Sequence, residues 1–310
     1  MVNLTQVPDF VLAAYFDSGV LRHLYFFLIM SLYVLIVLSN SFLLVVIGLN
    51  RSLHEPMYLF LCSLFVNELY GSTALFPLLL VQVLSEVHTV PAPLCFLQIF
   101  CVYSYGNTEF LTLAFMSYDR YLSICRPLQY ARIMTHRRAA GFVVVMWLPS
   151  VLVNFLSLSL VVPLPLCGNT IHKVYCDISS VVRLACHDTT LNNVYGLVVS
   201  VVMIFAPLVL ILYTYMRILR VCLSGSKQTR QKAVRTCTPH LASLLNFSFG
   251  ACFEILQSRF DMNRVPNILR IVLSLYFLSC PPLFNPVMYG LKLSNIRVKC
   301  KHLISNKGSQ

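Results

Sequence analysis

Two glutamates stand where carboxylates are expensive. Glu68 and Glu109 are the only charged residues in segments 57–85 and 89–118, which are otherwise apolar or uncharged. If segment 57–85 is a helix entered at Met57, a rise of about 1.5 Å per residue puts Glu68 about 16 Å deep. That is near the middle of a hydrocarbon core about 30 Å thick. Glu109 precedes Arg120 by about 16 Å of helix, close to three full turns, so the two share a face. Asn40 lies ten residues above Asn50 and Asn285 seven above Lys292, which brings two amides to the same depth. Two carboxylates in that layer cannot both be charged and unpaired; they share a proton or hold a cation. A sodium ion suits this oxygen-rich set, with Asn40 and Asn285 as neutral donors, and a proton is the alternative.

A second constellation ends the same apolar run. In MSYDRYLSICRPLQY (116–130), Asp119 can pair with Arg120 or release it to another partner, the chemistry of a two-state latch. Pro127 ends the helix soon after. Pro207 and Pro286 interrupt two further apolar runs, where the freed carbonyls and kinks allow hinge-like movement.

The elements that must carry these groups are membrane helices. The 310 residues are 58% hydrophobic and only 11% charged, with a mean hydropathy of +0.76, far from the charge content of about 25% in soluble domains. The expected fold is all-α, a seven-transmembrane helix bundle forming one domain over 1–310. Its spans lie near 24–49, 57–84, 91–124, 139–162, 193–221, 232–257 and 267–290, with a tail over 291–310. Of the 23 lysines and arginines, only Arg22, Lys173, Arg183, Arg259, Arg264 and Arg270 fall outside if the N terminus is extracellular. The positive-inside rule therefore fixes that orientation. The net charge of +12 is the basic cytoplasmic face of such a topology, suited to anionic membrane lipids and not a sign of nucleic-acid binding.

The first segment, MVNLTQVPDF, lacks a signal peptide's basic region and cleavage site, so the first span is expected to act as its own signal. Asn3 heads an acceptor sequon for glycosylation on the outer side. The tail sequence LKLSNIRVKCKHL reads as a short amphipathic helix on the inner leaflet, with Cys300 a candidate for palmitoylation. Four cysteines face the oxidising side: Cys95 at the start of span three, and Cys167, Cys176 and Cys186 in the long outer loop. Two disulfides are expected, with three pairings open. Tying Cys95 to the loop would pin it over the bundle mouth. Cys95–Cys176 with Cys167–Cys186 is the favoured set, although spacing alone leaves the others open.

Several motifs, in order and at the right spans, resemble rhodopsin-like G-protein-coupled receptors and, within them, the vertebrate odorant receptors. LHEPMYLFL (53–61) opens span two, MSYDRYLSICRPLQY closes span three and LYTYMRIL (212–219) ends span five. KAVRTCTPHL (232–241) begins span six and PPLFNPVMYGLK (281–292) ends span seven. The outer-loop contexts LCGN, YCDIS and LACHD match the family as well, so the likeness covers essentially the whole chain. Most odorant receptors carry aspartate where Glu68 stands and FYG within the stretch Phe247-Ser248-Phe249-Gly250. The wording SLFVNELYGS and NFSFG resembles the fish-type, class I-like branch.

The resemblance implies a plasma-membrane receptor in olfactory sensory neuron cilia that binds a small organic odorant and activates a stimulatory olfactory-type heterotrimeric G protein. It implies no enzymatic activity and no cofactor beyond a modulating sodium ion at Glu68 and Glu109. It assigns the activation switch to Asp119, Arg120, Tyr121, Tyr215, His240, Asn285, Pro286 and Tyr289. The ligand pocket would lie in the outer half of the bundle. Helical spacing there selects Val102, Tyr103, Gly106 and Asn107 on span three and Val199 and Met203 on span five. On span six it selects Ser248, Ala251, Ile255 and Arg259, and the resemblance matches the last to a class I position that can hold a ligand carboxylate. A non-olfactory receptor for a small metabolite is the alternative. An ion-coupled transporter fits less well, because the chain has no internal repeat and an odd number of spans. No HExxH, GxSxG or phosphate loop suggests an enzyme.

Overall fold

The structure, a computed structural model, describes residues 7–15, 21–260, 265–293 and 295–300. Seven long helices form one bundle. They are α1 (Leu21–Leu49), α2 (Pro56–Leu84), α3 (Ala92–Cys125), α5 (His136–Val161), the continuous run Thr190–Ser224, α9 (Lys227–Arg259) and α10 (Asn267–Lys292). The continuous run consists of α7 (Thr190–Ser200), one π turn (Val201–Phe205) and α8 (Ala206–Ser224). Short helices α4 (Pro127–Ile133) and α6 (Ile178–Arg183) lie in loops, and residues 295–300 form a last helical turn, α11.

Prolines mark the starts. Pro56 and Pro127 open α2 and α4, where a missing N–H costs nothing. Thr135 caps α5 by accepting from the Arg138 amide at 3.4 Å. Five of the seven long helices are apolar enough to cross a membrane by composition alone. α3 and α9 are as long but more polar, for different reasons. α3 is enclosed by its neighbours, so its polar residues meet protein instead of lipid. The first turns of α9 carry Lys227, Arg230, Lys232 and Arg235.

The outer surface inverts the soluble pattern. Leu28, Leu38 and Leu49 on α1, Phe155 on α5 and Val209 and Leu212 on α8 are exposed where lipid would lie. Fifth and sixth spans expected to end at 221 and begin at 232 instead continue to Ser224 and from Lys227, separated by Gly225 and Ser226 alone. Apolar content marks the edge of the hydrocarbon, whereas helical hydrogen bonding continues past it into water.

A three-stranded sheet covers the outer end. β1 (Asp9–Leu12) lies between β2 (Thr89–Pro91), antiparallel with Phe10 opposite Val90, and β3 (Thr170–Ile171), parallel with Val11 beside Thr170. Strand alternation turns Phe10 and Leu12 inward, where both are fully buried against Val90, Ile99 and Ile171. The Cys95–Cys176 and Cys167–Cys186 disulfides complete this cap. The first ties the outer loop to the start of α3, and the second closes a hairpin-like excursion whose arms bridge at Leu166 and Ala185.

Candidate functional site: an outer cavity, a buried polar layer and an inner latch along one helix

At mid-depth, Glu68, Glu109 and Asn285 are all 0% exposed. The Asn285 amide on α10 donates to both carboxylates, at 3.2 Å to Glu109 Oε1 and in a closer bond to Glu68 Oε1. Two further donors, not anticipated from spacing, complete the layer. Asn67 Nδ2 donates to Glu109 Oε2 at 2.9 Å, and the Tyr105 hydroxyl donates to Glu68 Oε2 at 3.1 Å. Tyr105 reaches Glu68 because Gly71 lies under its ring; a Cβ there would be 2.5 Å from ring carbons.

Asn40 is placed differently from expectation. It makes no hydrogen bond to either acid among the described residues. Its amide nitrogen donates to the Ile36 carbonyl at 2.9 Å and the Pro282 carbonyl at 2.8 Å. The Pro282 oxygen is the acceptor that Pro286, having no N–H, leaves free one turn earlier, and Asn40 satisfies it. The amide oxygens of Asn40, Asn67 and Asn285 are buried without a hydrogen-bond partner among the described residues.

At the inner end of α3, Arg120 Nη2 lies 3.4 Å from Asp119 Oδ2, and the Tyr130 hydroxyl of α4 donates to Asp119 Oδ1 at 2.8 Å. Both members of the pair are largely buried, and α4 holds Asp119 through Tyr130. Arg126 lies over the Tyr121 ring at 5.9 Å. His240 on α9 bridges two helices, its Nε2 2.9 Å from the Leu113 carbonyl of α3 and its Nδ1 bonded to the Tyr215 hydroxyl of α8. A carbonyl cannot donate, so Nε2 carries the proton and Tyr215 donates to Nδ1. Tyr289 is buried, edge-on to Phe65. Beyond α10, Asn295 donates to the Tyr58 hydroxyl at 3.3 Å, and Cys300 packs half-buried against the inner core.

In the outer half lies a cavity of about 190 Å³ between α3, α5, α7, the π turn, α9 and the outer loop. Of the expected ligand residues, Val102, Tyr103, Gly106, Asn107, Val199, Ala251 and Ile255 line it. Met203 does not; Ile204 takes its place, and Met203 is buried elsewhere. The cause is the π turn over Val201–Phe205, which adds a residue to the turn and rotates i+5 into the position that i+4 would fill. Ser248 is also absent from the wall. The cavity ends on Phe110 and Phe277, buttressed by Phe247 at ring distances of 4.8 and 5.3 Å. Arg259 ends α9, and its side chain lies outside the described residues, as does Asn3.

Spacing missed the charged rim. Lys173, Asp177 and Glu254 all line the cavity. Lys173 Nζ lies 3.0 Å from Glu254 Oε2 and 3.5 Å from Asp177 Oδ2. Burial alone would push the Asp177 carboxyl up, but the Lys173 ammonium and the Ser179 and Ser180 hydroxyls hold it below its ordinary range. Burial would likewise pull the Lys173 ammonium down, and its two carboxylate partners hold it above its usual value. Lys173 and Asp177 flank Cys176, so the disulfide to α3 is what delivers them to the cavity.

This arrangement is a seven-helix bundle of the rhodopsin type. Squid rhodopsin superposes with a TM-score of 0.71 at 19% identity, over 91% of this chain and 80% of the rhodopsin chain. The olfactory receptor pattern matches residues 29–307, and the chain belongs to that family. Human olfactory receptor 2G6 is 35% identical over 97% of this chain and 95% of its own length. Human olfactory receptor 11A1 is 34% identical over 98% and 96%. The chain is thus a multi-pass membrane receptor of an odorant-activated, G-protein-coupled family, and that family is not one of enzymes.

Proposed function

We propose that a small organic odorant enters the outer cavity, and that its contacts with α3, the π turn and α9 bias the bundle between two states read at the inner face. The carrying observation is that one helix spans all three sites. α3 lines the cavity at Val102, Tyr103, Gly106 and Asn107, holds Glu109 in the polar layer and ends in the Asp119–Arg120 pair. A ligand shifts such an equilibrium only through different contacts in the two states. The junction of the π turn with α8 at Pro207, and Pro286 inside α10, are the hinges. The His240–Tyr215 bond and the Tyr130–Asp119 bond are the contacts to be broken. The released Arg120 engages a stimulatory olfactory-type G protein, raising cyclic AMP in olfactory cilia.

The oxygens of the polar layer fit a sodium ion. Glu68 and Glu109 would hold it, with the unpartnered amide oxygens of Asn285 and Asn67 close by, and its charge would steady the closed bundle. A shared proton would serve the same balance.

The test is a cyclic AMP assay in cells co-expressing that G protein, using panels of acids, amines, aldehydes and steroids. A dose-dependent response abolished by Arg120→Ala is expected. A receptor shown to be at the cell surface yet silent to every panel would count against the proposal.

A further inference from the structure

Among the described residues, the rim of the cavity is electrostatically unbalanced. Among the described residues lining it, the charged groups are one cation, Lys173, and two carboxylates, Asp177 and Glu254. Lys173 is 5% exposed and Asp177 2%. Each carboxylate uses one oxygen on Lys173, and the Ser179 hydroxyl also donates to Asp177 Oδ2. The other two oxygens, Asp177 Oδ1 and Glu254 Oε1, are buried with no hydrogen-bond partner among the described residues. Lys173 is already committed to both carboxylates and lies 5.5 Å from the Tyr175 ring. Tyr175 sits beside the same acids and hydrogen-bonds toward Glu254; burial and then the Glu254 and Asp177 charges hold its hydroxyl protonated, so it brings Glu254 a neutral donor but no positive charge. Arg183, whose charge also helps to hold Asp177 below its ordinary range, is exposed and outside the cavity wall, where water weakens its share.

An uncompensated carboxylate in such a place is costly. A carboxylate ligand would add a third negative charge, and an aldehyde would meet a lysine held as its ammonium ion, unable to attack. A ligand ammonium would instead bring a positive charge and donors to the two oxygens left unpartnered among the described residues. Below the rim Val199, Ile204, Phe110 and Phe277 form apolar wall, with polar side chains such as Asn107 and Ser200 among them. An apolar cavity of about 150 Å³ accepts benzene, so about 190 Å³ takes a hydrocarbon of about six to eight carbons.

We propose that the odorant class is protonated aliphatic amines, with the ammonium held between Asp177 Oδ1 and Glu254 Oε1 and the chain pointing down toward Phe110 and Phe277. This rests on the outer cavity being the ligand site.

The probes are heptan-1-amine, heptan-1-ol and heptanoic acid, which share a chain and differ in the head. Two readouts are used: the melting temperature of the purified receptor, and cyclic AMP in cells with surface expression checked. The amine is expected to raise the melting temperature more than the alcohol or the acid. Glu254→Gln is expected to weaken the amine by at least about tenfold, as for loss of one partner of a buried charge pair, and to change the alcohol by less than about threefold. Asp177→Asn should act in the same direction. If it does not reach the surface, Glu254→Gln alone carries the comparison. Absence of stabilisation by the amine, or equal stabilisation by all three probes, overturns the proposal even if other odorants raise cyclic AMP. Stabilisation by the amine that Glu254→Gln removes, without any cyclic AMP response, upholds the amine site and counts against the signalling reading.

Discussion

The ring of Tyr105 fills the space that a side chain on Gly71 would need, since a Cβ there would sit 2.5 Å from ring carbons. This close approach of α2 and α3 is what lets Tyr105 donate to Glu68. Gly71→Ala is expected to force the ring away and destabilise the receptor by about 1–3 kcal/mol, the range for overpacking. Helix propensity alone would give the opposite sign, a gain of up to about 1 kcal/mol. The melting temperature of the purified protein decides between them.

Ile204 and Met203 separate ligand contact from packing. Ile204→Ala should alter odorant potency and the ranking of ligands by chain length. Met203→Ala should cost about 2–5 kcal/mol of stability, as for a buried methionine, and leave that ranking intact. A regular α turn in place of the π turn would reverse the two phenotypes, so dose-response curves for a homologous series test the rotation.

Much of the fold was legible in the sequence for one reason: lipid admits few solutions. A helix must satisfy its own backbone in hydrocarbon, so apolar length counts spans and the basic loops orient them. The depths of Glu68, Glu109 and Asn285 followed from helical rise. The Met203 position did not, because a π turn changes phase through hydrogen bonding that no residue type announces. Lys173 and Asp177 were invisible as site residues because a disulfide, not helical periodicity, carries them to the cavity.

The rim also sets a pH window. Asp177 is depressed in the folded state, so its contribution is complete above the unfolded carboxylate value of about 4 and is lost as pH falls through the lower folded value. Lys173 is raised, so its contribution is complete below the unfolded value of about 10 and is lost as pH rises through the higher folded value. Melting temperature against pH should therefore lose these contributions only outside a plateau between those limits. Asp177→Asn should flatten the acid limb, and an unchanged acid limb would remove Asp177 as its source.

In the polar layer, Glu68→Gln with Glu109→Gln is expected to preserve surface expression and to remove the dependence of signalling on sodium and on pH. Each glutamine keeps the shape but removes the titratable carboxyl that Asn285 and Asn67 now meet. Concentration-response curves measured in sodium and in a bulky organic cation, across pH, give the answer; unchanged dependence on both would dismiss a cation or shared proton there.

By itself, the sequence determined the bundle, the buried acids and the adjacent Asp119 and Arg120 at the end of one helix, because each follows from local composition and a fixed rise per residue. The tertiary structure decided which groups meet. It placed Asn40 on the carbonyl freed by Pro286 instead of on the acids, it put Ile204 on the cavity wall, and it set one ammonium against two carboxylates at the cavity rim. Those outcomes depend on helix phase, close approach and cross-links between distant segments, and these are properties of the packed chain, not of any one stretch of it.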